Sequence, residues 1–211
     1  MKKYLLKITI AIGLCLTTQT AMAQNTRLFA DGDIIFHKSK SQQSAALREA
    51  TGSEWTHVGI LLKNKTDGAW YVAEAIGPVK ATPLKDFIAR GQKKEYRVYR
   101  NTFFNPKTMK DKLISAIQKH NKPYDIYFEF TDEKTYCSEL VYKAFYEVIG
   151  KNIGTVQKMK EMRLDGPYVK ALIKKRLTDT GRKLNPEEPI ITPVSQMIDK
   201  NLKLIAVGAA Q

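Results

Sequence analysis

Two runs decide the fold: Trp55-Thr56-His57-Val58-Gly59-Ile60-Leu61-Leu62 and, after the polar stretch Asn64-Lys65-Thr66-Asp67-Gly68, Trp70-Tyr71-Val72-Ala73-Glu74-Ala75-Ile76. Apolar, β-branched and aromatic residues on both sides of a short polar turn predict a β-hairpin. A four-residue loop at 64–67 would set Leu62 against Ala69. His57 then stands directly opposite Glu74 on one face, with Cβ atoms roughly 4.5–5.5 Å apart. Each is out of character in such a strand, and a buried carboxylate needs a partner. If Glu74 accepts one imidazole N–H, the other ring nitrogen is free for a third group. The alternative is an edge strand that leaves Glu74 in water and makes His57 a structural histidine.

Upstream, Asp31-Gly32 is a turn and Asp33 to His37 a short buried strand. Ser39 or Ser41 can cap a helix through Ala45, Leu47 and Ala50 that closes at Gly52. Downstream, Gly77-Pro78 ends the hairpin, and Thr82-Pro83 starts a helix that ends at Gly91. Glu95 to Arg100 alternates as a strand, and Asn105-Pro106 opens a helix with Met109, Leu113, Ile114 and Ile117 on one face. Residues 121–134 are irregular and aromatic. Beyond Gly150 the pattern weakens to a basic helix after Asp165-Gly166-Pro167, a short helix from Thr192-Pro193 and a strand from Leu202 to Val207. Strands and helices mix without a βαβ rhythm, so the expected class is α+β with a mainly antiparallel sheet, as one domain over 24–211.

The segment Tyr136-Cys137-Ser138-Glu139-Leu140-Val141 adds the third group. Leu140, Val141, Ala144, Phe145 and Val148 trace one helical face, and Gly150 supplies the stop. With Thr135 as N-cap, Cys137 falls in the first turn, where unpaired N–H groups and the positive dipole end favour an anion such as a thiolate. A lone cysteine beside an apolar face also reads as a small core residue.

Bulk properties narrow the choice. In the 211 residues, Lys2, Lys3 and Lys7, the apolar run Ile8 to Leu16 and Ala21-Met22-Ala23 have the form of a cleaved export signal. Its apolar run is too short to span a bilayer, and no other stretch is long enough. Cleavage near Ala23 leaves 188 residues, lowers the formal charge from +14 to +11 and removes Cys15. Cys137 is then an odd thiol in a compartment that permits disulfides, which suggests an intermolecular link or a reactive group. The expected setting is periplasmic or secreted. The lysines are spread among acids, so they read either as a solvated surface or as attraction to acidic envelope polymers. With no phosphate loop, zinc-finger spacing or RNA-binding signature, nucleic acid is not an expected partner.

A nucleophilic thiol needs a base, and the base needs a group to orient it. Of three histidines, His120 ends a helix beside lysines and is expected to face solvent, and His37 ends a strand beside Lys38, where a surface or edge role is expected rather than a chemical one. His57 is the candidate base and Glu74 its orienting residue, with Glu54 and Asp33 as weaker substitutes. No second cysteine, paired histidine or H-E-x-x-H run accompanies them, so neither a metal nor a cofactor is expected.

Thr-His57-Val-Gly-Ile, Ala-Glu74-Ala-Ile-Gly-Pro-Val, Asn-Lys-Pro-Tyr124-Asp, Tyr-Cys137-Ser-Glu-Leu-Val and the opening Gly32-Asp33-Ile34-Ile35 together resemble the permuted papain-like amidases. These are relatives of the NlpC-type cysteine peptidases, and the sequence is similar to their enterobacterial YiiX group. Here the histidine precedes the cysteine, as in permuted members. The motifs run in order over about residues 30–150, and the tail matches less distinctly. The resemblance implies an antiparallel sheet that carries the histidine and the third polar residue, with the cysteine helix packed against it. It implies Cys137 as nucleophile, His57 as base and acid, and Glu74 as orienting residue. It also sets Tyr124 near the site, where its hydroxyl and the Cys137 backbone N–H are candidate oxyanion donors. Tyr124 also reads as an aromatic anchor for its loop.

The expected activity is hydrolysis of an amide in a small peptide or cell-wall-derived substrate, through an acyl-thioester on Cys137. Two rivals stand. One is a lipid thioesterase or acyltransferase, as in the related lecithin:retinol acyltransferase group, with Trp55, Trp70, Phe103, Phe104, Tyr127 and Phe128 as an apolar channel, although ordinary core packing explains these aromatics better. The other is a non-catalytic envelope-binding module.

Overall fold

The structure, a computed structural model, describes residues 26–209. The expected leader, residues 1–23, lies outside the described residues. Strand β1 (Ile34–Ser39) and helix α1 (Ser44–Thr51) lead into the hairpin of β2 (His57–Lys63) and β3 (Trp70–Ala75). Next come β4 (Val79–Pro83), α2 (Leu84–Arg90), β5 (Gly91–Asn101), α3 (Pro106–Lys119) and α4 (Cys137–Ile149). The remainder is β6 (Gln157–Lys158), α5 (Pro167–Arg176), β7 (Pro189–Ile190), α6 (Pro193–Met197) and β8 (Leu202–Gly208), with two short 3₁₀ turns.

Six strands form one sheet in the order β4-β3-β2-β1-β5-β8, and each neighbouring pair is antiparallel. The class is α+β, as read from the sequence. Its central strands are covered on both faces, which is why they read as continuous apolar runs. On one face, Ile34, Phe36, Val58 and Ile60 pack against Leu113 and Ile117 of α3 and Val141, Ala144 and Phe145 of α4. On the other, Ile35, Leu61, Val72 and Val98 meet Leu84, Phe87 and Ile88 of α2.

The hairpin register differs from the four-residue-loop expectation. Leu62 pairs with Tyr71 and Lys63 with Trp70, so the loop runs over 64–69. The Ala69 N–H bonds the Asp67 carboxylate at 2.9 Å, and the Asn64 N–H bonds the Ala69 carbonyl, also at 2.9 Å. These local bonds tie Ala69 into the turn and shift the ladder by two residues, which preserves the faces. Thr82-Pro83, expected as the start of a helix, instead closes edge strand β4 (Val79–Pro83), which pairs with β3. Strand β5 begins at Gly91 rather than Glu95 and takes Lys93 and Lys94 through positive φ on the way.

Helix α1 starts at Ser44 with Gln43 at its N-cap, without a side-chain cap. Asn105 does cap α3, accepting from the Lys107 N–H at 3.0 Å. The N-cap of α4 is Tyr136, not Thr135, so Cys137 is the first residue of the helix. The Glu139 carboxylate accepts the Tyr136 N–H at 3.3 Å, which fixes this start.

The tail clamps the cysteine helix. Ser138 Oγ donates to the Ile191 carbonyl, and Gln196 Nε2 to the Ser138 carbonyl, both at 2.9 Å. The Ile191 N–H donates to the Tyr136 hydroxyl at 3.1 Å. Tyr136, Met159, Ile190 and Ile191 form a small core of their own beneath this clamp.

Candidate active site

Cys137, His57, Glu74 and Tyr124 converge at the end of the sheet where β2 begins. Cys137 is buried, at 5% exposure, and heads α4, which packs across β2 and β3. Its backbone N–H is among the first of the helix, which have no partner within it. His57 and Glu74 share the sheet face covered by α2. His57 Nε2 lies 2.6 Å from Glu74 Oε2, and both side chains are buried. They are diagonal rather than direct neighbours, because the ladder continued one step beyond Ile60–Ala73 sets Gly59, not His57, against Glu74.

Gly59 makes this approach possible. A Cβ there would lie 2.4 Å from Val72 Cγ1, 2.9 Å from the Ala73 carbonyl oxygen and 3.3 Å from Glu74 Cβ. Its bare backbone lets β3 close on β2 and leaves the Glu74 carboxylate room to reach the imidazole.

The electrostatics follow from these contacts. Burial pulls the His57 pKa down, but the charge and hydrogen bond of Cys137 and then those of Glu74 outweigh it, and the pKa rises to about 9. Glu74 holds the Nε2 proton, so Nδ1 is the ring nitrogen that serves the thiol. Burial also opposes ionisation of Glu74, yet His57, Thr82 and Arg90 keep its pKa below the usual carboxylate value. Arg90 takes the second carboxylate oxygen from the end of α2. Sequence reasoning missed both Arg90 and Thr82; Arg90 lies in the last turn of an ordinary basic helix end, and Thr82 on the unrecognised strand β4.

Tyr124 lies on the irregular segment before α4. A short parallel bridge to Thr135, with the Asp125 N–H to Thr135 carbonyl bond at 3.0 Å, sets it beside the residue that precedes Cys137 by two in the chain. Burial raises its phenol pKa, and proximity to the Cys137 charge raises it further. Tyr124 and His57 line a common cleft with Ser39, Lys40 and Gln43.

The other histidines differ from their surface expectation. His37 is buried, pairs across the ladder with His57, stacks on Phe87 and bonds the Phe87 carbonyl through Nδ1 at 3.1 Å. Burial, then the charges of His57 and Arg90, push its pKa down to about 2, which keeps it a neutral ring beside the base. His120 is half-buried at the end of α3, 3.3 Å from Glu147. Asp33 is held by Arg100 at 2.7 and 2.8 Å, and Glu54 lies 3.8 Å from Arg48, so neither reaches His57.

Core packing, the favoured reading of these aromatics, holds for Trp70, which packs with the α2-face core, and for Phe104, which packs with the opposite one. The tail builds a different space. Leu47, Phe128, Met162, Leu172 and Leu184 are among the walls of an apolar groove with a cavity volume of about 80 Å³. It shares Leu47, Thr51, Phe128, Ile190 and Thr192 with the smaller space that touches Cys137.

Comparison with known proteins agrees with the fold. The family model described as "Permuted papain-like amidase enzyme, YaeF/YiiX, C92 family" matches residues 29–206, so it takes in most of the tail. The Escherichia coli (strain K12) protein described as "Uncharacterized protein YiiX" is 40% identical over 164 residues, covering 77% of this chain and 78% of its own length. A crystal structure of yiiX from Escherichia coli O157:H7 superposes with a TM-score of 0.78 at 37% identity, over 85% of this chain and 98% of that one. That relative is described as a metalloprotein. In this chain no three His, Cys, Asp or Glu side chains gather as ligands among the described residues, and both Glu74 oxygens are engaged by His57 and Arg90. These side chains do not compose a metal site.

Proposed function

The chain belongs to the permuted papain-like amidase family and is a cysteine peptidase/amidase-type hydrolase; on that premise we propose that it cleaves an amide of a peptide or cell-wall-derived substrate through an acyl-thioester on Cys137. The observation that carries the reading is the sharing of the His57 imidazole between Cys137 and Glu74. Cys137 Sγ attacks the carbonyl carbon, and the resulting oxyanion takes hydrogen bonds from the Cys137 N–H and the Tyr124 hydroxyl. As the C–N bond breaks, His57 gives its Nδ1 proton to the leaving nitrogen. The amine departs and the acyl group remains on sulfur. His57 then takes a proton from water, the hydroxide adds to the thioester, and the acid leaves as the thiol re-forms. Glu74 keeps Nε2 protonated throughout and stabilises the imidazolium.

The N-terminal pattern of Lys2, Lys3 and Lys7, an apolar run and Ala21-Met22-Ala23 supports export, with action in the periplasm or outside the cell. Acidic envelope polymers are then candidate partners for the basic surface. The test is amine release from murein-derived peptides, with Cys137→Ala as control. Release by the native chain and none by the variant is expected; equal rates would overturn the reading.

One observation favours a second reading. The apolar groove of the tail shares walls with the small space that touches Cys137, which points to a lipid thioesterase or acyltransferase working through the same thiol. Acyl lipids and peptide amides offered side by side separate the two.

A further inference from the structure

Tyr124 is useful to an oxyanion only if its hydroxyl hydrogen is free and aimed at the cleft, and a phenol can equally turn that hydrogen elsewhere. In this chain the choice is made by two residues outside the catalytic set. Gln43, the N-cap of α1, donates from Nε2 to the Tyr124 oxygen at 2.8 Å. The amide cannot be reversed, because Arg176 of α5 donates to Gln43 Oε1 at 2.7 Å. Arg176 is itself fixed, with Nη1 to the Ile126 carbonyl at 2.6 Å and its guanidinium 5.5 Å from the Phe128 ring centroid. A cation has no acceptor, so it must meet the oxygen of Gln43, and the amide nitrogen must then face Tyr124. The Tyr124 oxygen accepts, and no acceptor for its O–H is present among the described residues.

We infer that Gln43 and Arg176 are positioning residues that fix the Tyr124 hydroxyl as an outward donor, so that the tail helix α5 orients the oxyanion site. The inference rests on the proposed function, in which Cys137 is the nucleophile.

Two reactions of the same thiol isolate the effect. Acylation by p-nitrophenyl acetate passes through an oxyanion; alkylation by iodoacetamide, a displacement at saturated carbon, does not. Gln43→Glu keeps the shape and the Arg176 contact, but a carboxylate in place of the amide can only accept, so it captures the Tyr124 proton. The ratio of acylation to alkylation at Cys137, with the Cys137→Ala background subtracted, should fall on the order of 10²-fold, as for loss of one oxyanion donor. Tyr124→Phe should give a similar fall, and the double variant should fall no further. An effect of the added charge on the thiol itself, or of a damaged fold, acts on both reactions, whereas a direct effect of the charge on the oxyanion persists in the Tyr124→Phe background and shows as additive losses. An unchanged ratio in Gln43→Glu with alkylation intact, or additive losses in the double variant, overturns the relay. A native chain whose Cys137 is not alkylated overturns the nucleophile reading itself, and the relay with it.

Discussion

His57 and Glu74 meet at 2.6 Å across a register in which neither stands opposite the other. The contact therefore depends on the diagonal reach of a carboxylate over the bare backbone of Gly59. It also depends on Arg90, which engages the far oxygen of Glu74 and prevents the carboxylate from turning away.

Replacing Glu74 by Gln removes the charge while keeping the shape. The His57 imidazolium loses its buried counter-ion and its fixed tautomer, so kcat should fall by about 10²-fold or more with little change in KM. Steady-state kinetics on whichever amide the native chain cleaves would show this. A fall confined to KM would mean that Glu74 only shapes the cleft.

Gly59→Ala places a methyl group 2.4 Å from Val72 Cγ1 and 2.9 Å from the Ala73 carbonyl, and two central strands must part to accept it. The expected loss is about 1–3 kcal/mol in urea unfolding. Activity should fall further than that loss explains, because β3 carries Glu74 away from His57. Unchanged activity in the folded fraction would show that the close approach of the strands does not serve the site.

Raising the pH should switch the reaction off through about pH 9, where His57 gives up the proton that the leaving amine needs. Because Glu74 contributes to holding His57 protonated, Glu74→Gln should move this limb to lower pH. A pH–rate profile checks both the position and the shift.

Glu139 gives a separate pH dependence, in stability. It is fully buried, and burial raises its pKa from 4.5 to about 7 in spite of the bond from Lys143. A raised folded pKa means that the associated stability is present below about pH 4.5 and is lost as pH rises through about 7. The loss is about 3 kcal/mol, from the size of the shift. Glu139→Gln keeps an acceptor for the Tyr136 N–H, and its stability relative to the native chain should improve between pH 5 and 8. Urea midpoints of the two proteins measured in parallel would reveal it; a constant difference would contradict the assignment.

Particular residues show what could be read from sequence. The His57 and Glu74 pairing was legible because two polar residues interrupt two apolar strands. The Cys137 helix was legible because its apolar face and Gly150 bound it on both sides. The exact ladder was not, since the bond between Ala69 and Asp67 lengthens the turn by a local choice that strand patterns do not record. Strand β4 was hidden by Pro83 and by exposed Lys80 and Ala81, which suit an edge strand. His37 resembled a surface residue beside Lys38, yet its stacking on Phe87 arises only when α2 covers the sheet. The tail was the least legible part. Ser138, Gln196 and Arg176 act through contacts more than 50 residues apart, and such contacts leave no local pattern.

The most direct test of the account is the rate of Cys137 alkylation by iodoacetamide as a function of pH, followed on the Cys137 peptide in the native chain and in His57→Ala. The account predicts rapid labelling well below pH 8 in the native chain, and labelling that is slowed or moved to higher pH in the variant. Labelling only above pH 8, or labelling indifferent to His57, would contradict the activated thiol on which the proposed function rests.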